Sequence, residues 1–291
     1  MDLPLVVGVD GSDSSLAAVD WAVDEAARHG LPLRLVHASL WEIYEGAQPS
    51  FTTDRPAEEI MAEHIVASCV ERARRRHPEV KVSGEALPQD AVSALLQAGP
   101  EAFALVTGSR GRGEIAGMLL GSVSLAVAAR AVCPVVVVRG AEPNRRAALG
   151  RIVVGIGDAT GSAAAVRFAV REAEVRGCAL TAVRAWRNPS QEPVDHMLIA
   201  DDAARLREER ASAGIEDALR EAVREHPRVD VQRRPVEGPA HRILLEESAG
   251  ADLIVVGAQR RHGHFGLQLG RVAHVLLHHS DCPVAVVPQP V

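Results

Sequence analysis

A chain of 291 residues has room for two domains of ordinary size, and 47% hydrophobic with 24% charged residues is the balance of packed cores, not of disorder. A formal charge of −6 with only 3% aromatic residues argues against a basic, base-stacking nucleic-acid surface, and no apolar run approaches a membrane span. Four scattered cysteines (Cys69, Cys133, Cys178, Cys282) make neither a C-x-x-C pair nor a disulfide framework, and with no basic leader before the first apolar run a cytoplasmic location is expected.

Along the chain, short apolar runs alternate with longer stretches of helical periodicity, the pattern of a parallel sheet covered on both faces. In the first half, strands are expected at residues 5–9, 33–37, 80–86, 103–107 and 134–139. The first helix carries Leu16, Val19 and Val23 at helical spacing, with Ser12 or Asp13 as N-cap and Gly30 as the stop. The second begins near residues 54–56, where proline suits a first turn, and ends before Pro78. The stretch 41–55 follows the second strand on the ligand side and reads either as a cover for a pocket or as a surface loop.

The fourth strand runs straight into Gly108-Ser109-Arg110-Gly111-Arg112-Gly113, and Gly121-Ser122-Val123-Ser124 comes after it. Such a turn lets backbone amides converge with no Cβ in the way, and a helix starting near Gly121 or Ser122 adds N–H groups and a positive dipole end. The result is an anion cradle at the carboxyl end of the strands, where open α/β sheets place their ligands. Arg110 and Arg112 can add charge, and Ser122 and Ser124 hydroxyls. It is not a Walker A loop, since no G-K-[ST] follows, nor a dinucleotide fingerprint, since G-x-G-x-x-G does not open the first helix. Without a ligand, the same glycines would serve a tight strand-to-helix connection.

The chain then repeats itself. Val7-Gly8-Val9 recurs as Val154-Gly155-Ile156, 147 residues on, and Leu105-Val106-Thr107-Gly108 and Cys133-Pro134-Val135 recur 149 residues on, as Ile254-Val255-Val256-Gly257 and Cys282-Pro283-Val284. A two-residue insertion between the second strand and second helix accounts for the change, so the halves are one domain duplicated, at 1–142 and 150–291. The polar stretch 140–146 between them reads as a linker.

In the second half Gly157 stands in the place of Asp10, Arg260 in that of Gly111 and Arg271 in that of Ser122, with Asp158 one residue along from the lost carboxylate. Reduced or altered binding is expected there, since Arg260 either obstructs the cradle or offers a cation. His262, His264, His274, His278 and His279 gather nearby, but no carboxylate or cysteine sits at a matching interval, so they read as a helix face and no metal is assigned. Trp21, Trp41 and Trp186 read as packing residues, and Cys133 and Cys282 as buried small residues rather than nucleophiles.

The spacing G-x2-G-x9-G-S from Gly108 resembles the ATP-binding pattern of the universal stress protein family. The opening Val7-Gly8-Val9-Asp10-Gly11-Ser12, the second strand Leu35-Val36-His37-Ala38 and the Cys-Pro-Val entry to the last strand resemble that family too. The resemblance implies two tandem open parallel five-stranded α/β sheets of strand order 3-2-1-4-5, helices on both faces, of the adenine-nucleotide alpha-hydrolase-like type. It further implies ATP, with or without Mg, as ligand. Asp10 would hold the ribose or adenine end, the backbone of Ala38 the adenine, and Gly108 would lie near the ribose. Gly111, Gly121, Ser122, Val123 and Ser124 would surround the phosphates, with Gly8 part of the same opening motif. The family's domains associate through their last strands, so the halves are expected to pair with each other and the tandem to form a homodimer.

A nucleotide-dependent stress-response regulator, acting on a protein partner, is the leading expectation. The alternatives are a slow ATPase or phosphotransferase and a scaffold that binds no nucleotide. Phosphoryl transfer needs a metal-coordinating carboxylate and a group that positions the nucleophile, and only Asp10 is tied to the cradle by motif, so dedicated catalysis is not expected.

Overall fold

In the computed structural model of the chain the residues described are 3–40, 57–111, 120–157, 159–187, 197–259 and 269–289, with backbone alone at 159–161 and 197–203. The chain divides into two compact units, Met1–Arg139 and Gly140–Val291.

In the first unit the strands are β1 (Leu5–Gly8), β2 (Leu33–Ala38), β3 (Val82–Leu87), β4 (Ala104–Gly108) and β5 (Val135–Val138). They lie in the order β3-β2-β1-β4-β5, every pair parallel. Buried on both faces, the central strands are continuous apolar runs, and Leu5, Val6, Val7, Leu105 and Val106 are at most 1% exposed.

Helix α1 (Asp13–His29) starts where Ser12, in extended backbone, accepts the Ser15 N–H on its Oγ at 3.3 Å, and stops at Gly30 in the left-handed region (φ 66°). Ala18, Ala22 and Ala26, four residues apart and fully buried, bring this helix close to the sheet. Helix α2 (Ala57–Arg76) buries Ala62, Ile65, Val66, Cys69 and Ala73 along one stripe and lies beside α1, where Arg72 makes a two-point ion pair with Asp20 at 2.6 and 2.7 Å. The expected start of this helix, the loop 41–55 and Trp41 fall outside the described residues.

The opposite face carries α3 (Ala91–Ala98) and α4 (Ser122–Arg130), packed on each other. Asp90 caps α3 by accepting the Ser93 N–H at 2.8 Å, a bond that holds its carboxyl below the usual aspartate range. The two faces are visible at two strand glycines. A Cβ on Gly8 would meet Leu95 of α3 at 2.9 Å, while one on Gly108 would meet the Ser14 carbonyl of α1 at 2.6 Å.

After α5 (Glu142–Arg145), the second unit repeats the plan with β6 (Arg151–Gly155), β7 (Ala179–Trp186), β8 (Val231–Glu237), β9 (Leu253–Ala258) and β10 (Val284–Pro288). Their order β8-β7-β6-β9-β10 is again all parallel. Helices α6 (Ala159–Arg176) and α7 (Met197–Glu225) pack together, as do α8 (Ala240–Ser248) and α9 (Arg271–His279).

The stretch expected to be a linker is instead built into this unit. Asn144 is 5% exposed and donates to the carbonyls of Ala249 and Ala251 at 3.2 and 2.8 Å, and the N–H groups of Leu149 and Arg151 donate to the Asp252 carboxylate. A polar composition misled the sequence reading, because Asn144 is satisfied by backbone carbonyls rather than by water.

Candidate functional site

At the carboxyl ends of β1, β2 and β4 in the first unit lies a cavity of about 350 Å³, within the usual range for small-molecule sites. One end of it is apolar. Val36 and Ala38 come from β2, Ala91 and Leu95 from α3, and Val123 from α4. The other end is backbone: Gly108, Gly111 and Gly121 line it, with Asp10 and Arg110 beside them.

Asp10 closes the turn between β1 and α1. Its Oδ1 accepts the Ser12 N–H at 3.0 Å and the Ser12 hydroxyl at 2.6 Å. Ser15 Oγ accepts the Gly11 N–H at 3.1 Å and donates to the Ser12 carbonyl at 3.0 Å. The carboxylate is thereby fixed against the loop, and a Cβ on Gly111 would stand 2.7 Å from its Oδ2. Glycine at 111 is what permits loop backbone and carboxylate to share this wall.

The loop after β4 is tied down at both ends. The Arg110 N–H donates to Ser14 Oγ at 3.1 Å, and the Gly121 N–H to the Ser109 carbonyl at 2.7 Å. Gly121 then starts α4 in extended backbone (φ −73°, ψ 148°) with no side-chain cap. The first N–H groups of α4, at Ser122, Val123 and Ser124, are therefore presented at the cavity.

Ser124 behaves differently from the expectation. It is buried, and its hydroxyl donates to the Gly108 carbonyl at 2.7 Å, so its main-chain N–H is the donor it has left for a ligand. Ser122 is exposed at the rim, as is Arg110. Arg112 lies outside the described residues.

Ala38 turns its main chain toward the cavity. The Pro32 and Val36 carbonyls accept from Leu5 and Val9, so even-numbered residues of β2 turn their peptide groups toward β1. Ala38 is the next in that series, past the end of β1 and over the cavity.

All the sequence-derived site residues among the described ones, Gly8 included, thus line one cavity. Val9, Ser15, Val36, Ala91, Leu95 and Thr107 were missed. Ala91 and Leu95 belong to α3, which no motif marks, and only the packing of α3 over Gly8 brings them in.

In the second unit, the Gly157 N–H donates to Ser162 Oγ at 2.9 Å, with no carboxylate at the Asp10 position. A Cβ built on Gly270, the N-cap of α9, would meet nothing within 4 Å among the described residues, whereas one on Gly121 would touch the loop after β4. Asp158, Arg260, His262 and His264 lie outside the described residues. The rings of His274 and His278 stack on each other at 4.5 Å along α9. The two strand-entry thiols are inert, since burial pushes Cys133 up to about 11 and Cys282 up to about 12.

The profile of the Universal stress protein family matches residues 3–139 and again 149–288. A universal stress protein of Mycobacterium tuberculosis is 34% identical over 98% of this chain and 97% of its own length, and another from the same organism is 31% identical over 99% and 96%. The crystal structure of a universal stress protein from Archaeoglobus fulgidus superposes with a TM-score of 0.68 at 17% identity, covering 99% of this chain and 98% of that one. A functionally unknown protein from Pseudomonas aeruginosa superposes at 0.62 and 16%, covering 99% and 93%. These last two likenesses concern the fold alone.

Proposed function

Because the chain belongs to the universal stress protein family through both of its halves, we propose that its first unit binds ATP as a regulatory ligand and that its second does not. The observation that carries this reading is the meeting, in one cavity, of an apolar slot with a helix N-terminus that no side chain caps. The slot between Val36, Ala38, Ala91 and Leu95 suits a flat base, and the Ala38 main chain supplies hydrogen bonds at its edge. The N–H groups of Ser122, Val123 and Ser124, with the α4 dipole and the bare backbone at Gly111, suit phosphate oxygens. Asp10 faces the same space and would serve ribose hydroxyls.

Binding without dedicated turnover fits the wall better than catalysis does. Asp10 is the one carboxylate among the described residues lining the cavity, and its Oδ1 already accepts two bonds from Ser12. A metal-dependent phosphoryl transfer asks for a carboxylate to hold the metal and a second group to position the nucleophile, and among the described lining residues Asp10 is the one carboxylate for both tasks. ATP acts in this reading by favouring one state of the protein over another in a stress response, and so by changing recruitment of a protein partner.

The test is titration calorimetry with ATP, together with mass spectrometry of nucleotide released from the denatured protein. About one ATP per chain is expected. Gly111→Val, which sets a side chain against the Asp10 carboxylate, should raise Kd by at least about tenfold, on the order of 1.4 kcal/mol. Unchanged affinity in that variant removes the cradle, and steady phosphate release at ordinary enzymatic turnover replaces the regulator with an enzyme.

A further inference from the structure

Thr107 is the penultimate residue of β4, 3% exposed, and lines the cavity. Its Oγ1 is buried and has no hydrogen-bond partner among the described residues. A hydroxyl left so costs the fold stability, and such atoms are uncommon in native proteins. The two buried serine hydroxyls that line the cavity are occupied by the chain itself: Ser15 donates to the Ser12 carbonyl and Ser124 to the Gly108 carbonyl.

Sheet register says where this hydroxyl stands. Val36 pairs with Gly8, Thr107 is the next partner along β4 after the Val7–Val106 pair, and Thr107 pairs with Val137. Paired residues of a parallel sheet share a face, so Thr107 sits beside the bare Gly8, on the side covered by Leu95. Gly108, the first residue of the glycine loop, points to the opposite side, against Ser14. The hydroxyl therefore lies in the row that holds Gly8 and Val36, on the side that α3 and α4 cover, and not on the side that the loop glycine Gly108 faces.

The second unit holds the matching row without the hydroxyl. There Gly155 pairs with Val183 and Val256, and Val256 pairs with Val286. A Cβ on Gly155 would meet Leu244 at 2.8 Å, the counterpart of Leu95 over Gly8. Valine thus fills the Thr107 position in the same fold with the same packing, so threonine is not there to hold the sheet together.

We propose that the Thr107 hydroxyl hydrogen-bonds the nucleoside part of the nucleotide. The proposal rests on the nucleotide-binding reading above and adds to it a polar contact to the nucleoside. A hydroxyl partnered by the ligand alone leaves the ligand-free unit carrying the cost, which valine would relieve.

The experiment compares the full chain with Thr107→Val and Thr107→Ser by calorimetry with ATP, by competition with inorganic tripolyphosphate, and by thermal melting without ligand. Thr107→Val is expected to weaken ATP roughly 5–10-fold. Thr107→Ser should stay within about twofold of the wild type, since it keeps the hydroxyl. Tripolyphosphate, which has no nucleoside, should compete equally well in all three proteins. Without ligand, Thr107→Val should melt about 2–4 °C higher.

Wild-type ATP affinity in Thr107→Val overturns this inference and leaves the nucleotide-binding reading standing. So does a lower melting temperature, which would mean that the hydroxyl is bonded within the protein. Loss of tripolyphosphate competition in step with ATP makes Thr107 a general support of the cavity. Absence of ATP binding by the wild type overturns the reading of the site and this inference with it.

Discussion

The two units keep the same interior and differ at the mouth. Gly8 and Gly155 each lie under a leucine, with a would-be Cβ 2.9 Å from Leu95 in one and 2.8 Å from Leu244 in the other. The changes fall where a ligand would be met: Asp10 against Gly157, Thr107 against Val256, Gly111 against Arg260 and Ser122 against Arg271. Duplication has preserved what the core needs, because a single misfitted side chain there costs a large share of a domain's stability. Positions that face solvent or ligand carry no such penalty and have diverged. Gly8 lines the first cavity, yet its persistence as Gly155 shows that packing against leucine requires it.

The largest expected effect comes from making the second mouth like the first. The triple variant Gly157→Asp, Arg260→Gly and Arg271→Ser should raise ATP stoichiometry from about one to about two per chain in calorimetry, a change in affinity of at least about 100-fold at the second unit. The Gly157 N–H donates to Ser162 Oγ, the counterpart of Ser15, whereas in the first unit the donor to Ser15 is Gly11, one residue after Asp10, and Ala159 stands where Ser12 holds the carboxylate. A stoichiometry that stays at one would show that the difference between the units lies elsewhere than in these residues.

A smaller effect separates glycines that hold the fold from those that only start a helix. Gly108→Ala drives a methyl into the Ser14 carbonyl and should destabilise the first unit by about 1–3 kcal/mol in thermal unfolding. Gly270→Ala places its methyl where nothing lies within 4 Å among the described residues, and should cost no more than about 1 kcal/mol as an N-cap change. Equal costs would remove the distinction between close approach and helix start.

How far the sequence was legible follows the same division. Strand positions were readable to within about two residues: burial on both faces makes the central strands plain apolar runs, the outer strand β3 (VSGEAL) is half-exposed and was the one misplaced by two at its start, and α1 was bracketed by Ser12 and Gly30. The glycine cradle was readable because backbone approach leaves its mark in residue type. Contacts that depend on who sits opposite whom were not. That Ser124 turns its hydroxyl to Gly108, that Leu95 roofs Gly8 and that the Thr107 hydroxyl has no partner among the described residues all follow from sheet register and helix packing. Asn144 escaped for a related reason, since a polar residue in a polar run gives no sign that three carbonyls surround it.

The smallest expected effect reads the electrostatics of the second mouth directly. His241 lies in the first turn of α8, one residue on from the counterpart of Ala91, and desolvation together with Arg271, Arg187 and Arg242 depresses its pKa below the ordinary 6.5. A histidine depressed in this way favours its neutral form when folded, so its contribution to stability is full above about pH 6.5 and is lost as pH falls from there toward the folded pKa. Removing one cation relieves the imidazolium, and Arg271→Ser should therefore move the His241 titration midpoint upward, toward 6.5, when followed by NMR of the ring protons. The same residue change places a serine where the first unit has Ser122, so one titration shows whether Arg271 is what makes this mouth cationic. A midpoint that does not move would take Arg271 out of the field around His241, and the contrast between the two helix starts would then rest on shape rather than charge.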